Sequence, residues 1–270
     1  MTSAFAQKFL DVQLTDNKNY HWNTPDQWQQ GRGAFGGLVT ASKVLALEHA
    51  QQTIAPSQKL RSMTSMLCGP TLPGDTSIDL LPVRQGSNTT TWSARLSQTD
   101  GVKAESTALF GAERVEDATW NDMTPPEMTP WQDLGVIPLA PPFAPVFSAH
   151  MDYRTDDALP IMNHKEERAT HGWVNLKEPP AQADNAYIAL LMDAWWPCIL
   201  STLKQPRPIA TISTTIQFLE DPSILDTSKP LKYRATMSVS MHGYAVEFRE
   251  LWTEDNVLMA LNQQTIAIIK

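Results

Sequence analysis

Asp193 is the residue whose surroundings most demand a chemical explanation. It follows Asn185-Ala186-Tyr187-Ile188-Ala189-Leu190-Leu191-Met192 and precedes Ala194-Trp195-Trp196-Pro197, and nearly every position from 186 to 200 is apolar. At about 100° per residue such positions cover the whole circumference of a helix, so 184–203 is predicted to be a helix buried on all sides and capped at its start by Asp184. A carboxylate in the middle of that helix must find donors or shift its pKa, because an uncompensated buried charge is costly. Asp193 is therefore a candidate general base. The plain alternative is a structural aspartate that bonds nearby backbone or lines a subunit contact.

Gly36 and Gly37 form the second candidate feature, at the start of an apolar helix predicted over 36–52 with small residues Thr40, Ala41 and Ser42 behind them. A glycine pair at a helix N-terminus lets a ligand approach free N–H donors, so it could hold an oxyanion; it could equally serve close packing. Other chemistry finds little support. The six histidines have no metal-binding spacing, no Gly-x-Ser-x-Gly elbow is present, and no metal or cofactor is expected. Cys68 and Cys198 lie in apolar sequence and are expected to be buried thiols. Trp92, Trp195 and Trp196 could line an apolar tunnel or be ordinary core.

The elements that must position these residues repeat. An apolar helix (36–52, then 184–203) is followed by an extended run ending at a proline, Pro73 or Pro222, which places Ser62 and Thr211 in equivalent positions. Alternating strands at 87–99 and 243–254 close with the turn pairs Asp100-Gly101 and Asp255-Asn256. In the first of these, Trp92, Ala94 and Leu96 are predicted to face a core, with Thr91, Ser93 and Arg95 on the other face. Prolines 125, 126, 130, 138, 141, 142 and 145 interrupt regular structure between the repeats. The expected domains are 1–122 and 146–270, with 123–145 as linker and strands at 147–154 and 169–176 opening the second unit. A helix against an antiparallel sheet in each unit is an α+β layer architecture.

With 270 residues and 42% hydrophobic composition, the chain has enough apolar surface for two cores. A net charge of −8 argues against nucleic acid, which needs a basic face, but a small polyanionic ligand requires only local cations. Arg84 and Arg95, in or beside predicted strands, are candidates for that contact. No run reaches the ~18 unbroken apolar residues of a membrane span, and no signal peptide is evident, so a soluble cytoplasmic protein is expected.

The sequence resembles the acyl-CoA thioesterase II family in Phe35-Gly36-Gly37, in Leu191-Met192-Asp193, in Ile209-Ala210-Thr211-Ile212, and in Val257-Leu258-Met259-Ala260 leading to Gln264. The resemblance implies a double hotdog: two fused hotdog domains, each an antiparallel sheet wrapped around one long helix. It also implies hydrolysis of fatty acyl-CoA by a water held by an Asp, a Thr and a Gln, which fall on Asp193, Thr211 and Gln264. Adjacent Gln263 leaves the last assignment open by one position, and a one-residue slip would turn it to the other face of its strand. A homo-oligomer is expected by analogy, since the sheet leaves an edge to pair. Two other readings stand beside hydrolysis. One is an acyl-CoA binding module without turnover. The other is a hotdog hydratase or dehydratase, whose expected Asp-x-Asn-x-x-His pattern is absent from the sequence.

Overall fold

Period-2 alternation decides which way each strand faces. Trp92, Ala94 and Leu96 are buried, Arg95 is exposed, and Thr91 and Ser93 are half-buried. The structure is a computed structural model that describes residues 13–14, 19–115, 117–139, 141–157, 168–205 and 207–269. Its first half contains β1 (Gln13–Leu14), β2 (Asn19–Thr24), the short strands β3 (Gln29–Gln30) and β4 (Gly33–Ala34), helix α1 (Gly36–Ile54), β5 (Lys59–Leu67), β6 (Gly74–Gln85), β7 (Thr89–Gln98) and β8 (Gly101–Gly111). The second half contains β9 (Met151–Arg154), β10 (Ala169–Leu176), α2 (Asn185–Met192), α3 (Ile199–Thr202), β11 (Ile209–Phe218), β12 (Leu231–Met241), β13 (Tyr244–Trp252) and β14 (Leu258–Ile268).

Twelve of these strands make one antiparallel sheet in the order β1-β2-β6-β7-β8-β5-β11-β14-β13-β12-β10-β9. The halves join where β5 pairs with β11, Ser65 opposite Thr214 and Thr64 opposite Thr215. The turns predicted at Asp100-Gly101 and Asp255-Asn256 place Gly101 at φ 121° and Asn256 at φ 68°, a left-handed region open to glycine and tolerated by asparagine.

The two helices lie antiparallel in the core. Gly36, at the start of α1, meets Asp193 just past the end of α2, while Asn185, at the start of α2, donates to Glu48 near the end of α1 at 2.6 Å. Asp184 caps α2 as predicted, accepting from Tyr187 N–H at 2.8 Å. The proline-rich stretch is pinned to the second half: Trp173 Nε1 donates to Thr129 O at 2.9 Å, and Ile137 N–H to Tyr153 O at 2.8 Å.

Three expectations need correction. Residues 184–203 are not one helix, because the chain leaves helical geometry between Met192 and Ile199. The segment predicted as a strand from 147 begins as a 3₁₀ turn, Val146–His150, and only then extends. Cys68 is exposed, and only Cys198 is a buried thiol. The first error has a visible cause, since apolar composition cannot distinguish a buried helix from a buried turn whose backbone is satisfied by side chains.

Candidate active site

The break after α2 puts Asp193 in a position that a continuous helix would not. Asp193 is the C-cap residue, at φ −106° and ψ −1°. Pro197 disfavours helical geometry at the preceding residue, and Trp195 packs against Gly172, where a β-carbon would come within 2.2 Å of the indole. The carbonyls released by the break find side-chain donors. Ala194 O accepts from Tyr153 OH at 2.7 Å, and Met192 O from Arg249 Nη1 at 3.2 Å and Tyr233 OH at 3.4 Å. The indole N–H groups of Trp195 and Trp196 both donate to Thr170 Oγ1, at 3.0 and 3.2 Å. Trp92 and Trp195 are core residues.

Three elements converge on the Asp193 carboxylate, and a fourth, β11, reaches it through Gln264. Oδ1 accepts from Gln264 Nε2 of β14 at 2.7 Å and from Arg249 Nη1 of β13 at 3.2 Å. The Gly37 N–H at the start of α1 also donates to the carboxylate. Oδ2 faces Gly36, whose missing β-carbon would stand 2.8 Å away. Thr211 Oγ1 of β11 donates to Gln264 Oε1 at 3.2 Å, so the amide accepts from Thr211 and donates to Asp193. All five residues singled out in the sequence therefore meet in one place. Gln264 is the inward glutamine, buried, and Gln263 is exposed.

The Asp193 side chain keeps 15% of its surface accessible. Burial nevertheless pushes its pKa above the usual carboxylate value, against the opposing pull of Arg249, Gln264 and the Gly37 N–H; the nearby Glu247 adds to the rise. Desolvation is the largest influence, and the guanidinium that opposes it is shared. Arg249 Nε also donates to the fully buried Glu247 Oε1 at 2.7 Å, and Glu247 Oε2 accepts from Cys198 N–H at 2.7 Å.

Sequence reasoning missed Glu247 and Arg249, and the cause is visible in β13. Tyr244 and Phe248 face outward, whereas Ala245, Glu247, Arg249 and Leu251 share the buried face. Two charges, Glu247 and Arg249, thus lie inside while Tyr244 and Phe248 lie outside, the reverse of an ordinary half-buried strand. Two charged residues alternating between Ala245 and Leu251 were the available signal.

The two halves are no longer chemically equal at matching register. Gln264 stands opposite Thr214 and Glu247, while Ser106, in the first half, stands opposite Ser65 and Ala94. Around Ser106 there is a buried amine instead of an acid: Lys43 Nζ donates to Ser106 and Ser65, whose hydroxyls are 2.8 Å apart. Burial pushes the Lys43 pKa down to about 7. Arg95, a candidate for phosphate contact, is committed to an ion pair with Glu105.

Two antiparallel units that each wrap a helix and share one continuous sheet, with an acid at the helix junction, define a double hotdog of the thioesterase-like kind. The chain belongs to the acyl-CoA thioesterase family: the family's C-terminal domain matches residues 118–268 and its N-terminal domain residues 24–111. A search of curated proteins found no matching sequence. Among solved structures, it is similar to a hotdog-fold protein of unknown function from Alicyclobacillus acidocaldarius, with 23% identity, a TM-score of 0.85, and 100% of this chain and 99% of the other covered. It is also similar to an acyl-CoA thioesterase II from Mycobacterium marinum, at 16% identity and TM-score 0.73 with 96% of each chain covered. The dehydratase domain of RzxB from Pseudomonas fluorescens shares the fold more loosely, at 12% identity and TM-score 0.57, with 97% of this chain and 98% of the other covered. Identities this low speak for the fold alone. No helix among the described residues is long and apolar enough to cross a membrane.

Proposed function

We propose that this protein hydrolyses an acyl-CoA thioester to the free acid and CoA, using water activated at Asp193, Thr211 and Gln264. The observation that supports this most directly is the pairing of a partly accessible, raised-pKa carboxylate with an amide that Thr211 holds in one orientation. Asp193 takes a proton from water as the oxygen attacks the thioester carbonyl. The N-terminus of α1 supplies donors and a favourable dipole for the resulting oxyanion. Gly37 N–H holds the base, and Gly36, as the first helical residue, has an N–H with no intrahelical acceptor. The tetrahedral intermediate collapses with loss of thiolate, which needs little acid assistance because a thiol pKa is only ~8.5. The proton held by Asp193 then passes to the thiolate or to solvent.

In this reading the halves 1–122 and 146–270, joined by 123–145, contribute unequally, the first supplying the helix N-terminus and the second the acid and its partners. The ends of the sheet at β1 and β9 support association of copies, which light scattering would read. The activity test is a panel of acyl-CoA thioesters with free thiol followed over time. Asp193→Asn is expected to keep the fold and lose most of the turnover. Undiminished turnover in that variant would remove Asp193 as the base, and binding without thiol release by the unaltered protein would favour a carrier role.

A further inference from the structure

Glu247 and Arg249 form a buried ion pair that no step above uses. Both lie on the inward face of β13, two residues apart, with 0% and 1% of their side chains exposed. Burying two charges is expensive, and an apolar pair of similar size often serves stability as well or better. The first half follows that cheaper course. Matching cross-strand register puts Ala94 where Glu247 stands and Leu96 where Arg249 stands. The ion pair is therefore confined to the half that carries the acid.

Its geometry runs in one direction. Cys198 N–H fixes Glu247 Oε2, Glu247 Oε1 holds Arg249 Nε, and Arg249 Nη1 reaches both Met192 O and Asp193 Oδ1. The guanidinium thus grips the last carbonyl of α2 and the adjacent carboxylate together, on the oxygen that also receives Gln264. One cation serves two carboxylates, and the negative charge of Glu247 opposes the pull of the guanidinium on Asp193. The other groups facing Asp193 are neutral: Gln264 from β14, the Gly37 N–H from α1, and the hydroxyls of Tyr153 from β9 and Tyr233 from β12, both held protonated by burial. Cys198 is likewise kept a thiol by burial.

We propose that Glu247 and Arg249 are positioning residues for the hydrolytic site: Arg249 orients the Asp193 carboxylate, and Glu247, by sharing the guanidinium, keeps that carboxylate basic enough to take a proton from water. The inference rests on Asp193 being the base, and its test separates the two ideas. The two substitutions should move the acid limb of kcat/KM in opposite directions. Glu247→Gln leaves the whole guanidinium charge to Asp193, so the limb moves to lower pH and the plateau rate falls, because the base is weaker. Arg249→Gln removes the cation from between two carboxylates, so the limb moves to higher pH, by roughly one unit or more.

Arg249→Lys keeps a charge without the three-way grip. It should leave the limb closer to its original pH while lowering kcat more than it raises KM. Circular dichroism and melting curves check folding. Should Arg249→Gln fail to fold, the downward move in Glu247→Gln carries the test alone. A limb that stays in place, or moves the same way in both variants, makes the pair merely structural and overturns the proposal. Full turnover in Asp193→Asn would instead overturn the underlying assignment of the base.

Discussion

Gly36 and Asp193 face each other across the two halves so closely that a β-carbon on Gly36 would stand 2.8 Å from Oδ2 of the carboxylate. That oxygen receives neither Gln264 nor Arg249, both of which act on Oδ1. The absent side chain therefore leaves room beside Oδ2.

Gly36→Ala and Gly37→Ala should fail in different ways. A methyl group on Gly36 displaces the carboxylate, and a misplacement of this kind costs roughly 10²-fold in rate, so kcat should fall steeply with little change in melting temperature. On Gly37 the same methyl group meets the Phe35 ring at 2.4 Å and the Leu190 carbonyl at 2.7 Å. Overpacking there should destabilise by ~1–3 kcal/mol, read as a lower urea midpoint. Equal loss of stability in both variants would count against the distinction.

Thr211 touches Gln264 rather than Asp193, so its contribution should be modest. Thr211→Val keeps the shape and removes the donor. Losing one such hydrogen bond, worth about 1 kcal/mol, should lower kcat roughly 5-fold and leave KM almost unchanged. Thr211→Ser should restore most of the rate, and steady-state kinetics on one acyl-CoA suffices to check both.

Lys43 should make stability depend on pH. Its pKa is about 7 when folded against 10.5 for an ordinary lysine, so between these values the unfolded chain binds the additional proton and stability rises with pH. Below about pH 7 the folded protein carries the buried charge. Lys43→Met removes that burden and leaves the Ser65–Ser106 hydrogen bond, at 2.8 Å, intact. The variant should melt higher than the parent at about pH 7, and the difference should shrink towards about pH 10. Thermal melts of both proteins at the two pH values measure this, and a constant difference would refute it.

Tyr153→Phe should weaken the turn that carries the acid. The hydroxyl donates to Ala194 O at 2.7 Å, and its loss strands a buried carbonyl at a cost of ~1–3 kcal/mol. A lower urea midpoint with an unchanged m-value is the expected result.

Local patterns made much of this legible before any coordinates. The alternation in β7, the Asp184 cap and the turn pairs each depend on a few neighbouring residues, and neighbouring residues decided them. The duplication came from the order of such patterns, and the isolation of Asp193 from the apolar residues on either side of it. The repeat marked Thr211 as the counterpart of Ser62, but only family resemblance gave Thr211 and Gln264 a chemical role.

The tertiary structure decided the rest. The same apolar run fits a continuous helix or a broken one, and the break becomes tolerable because Tyr153, Tyr233 and Arg249, remote in sequence, satisfy the freed carbonyls. Pairing register, not composition, turned Gln264 inward and Gln263 outward. Glu247 and Arg249 stayed hidden because β13 turns Tyr244 and Phe248 to solvent and these two charges to the core. A buried charge can be read only with its partner, and that partner is supplied by folding rather than by adjacency in the chain.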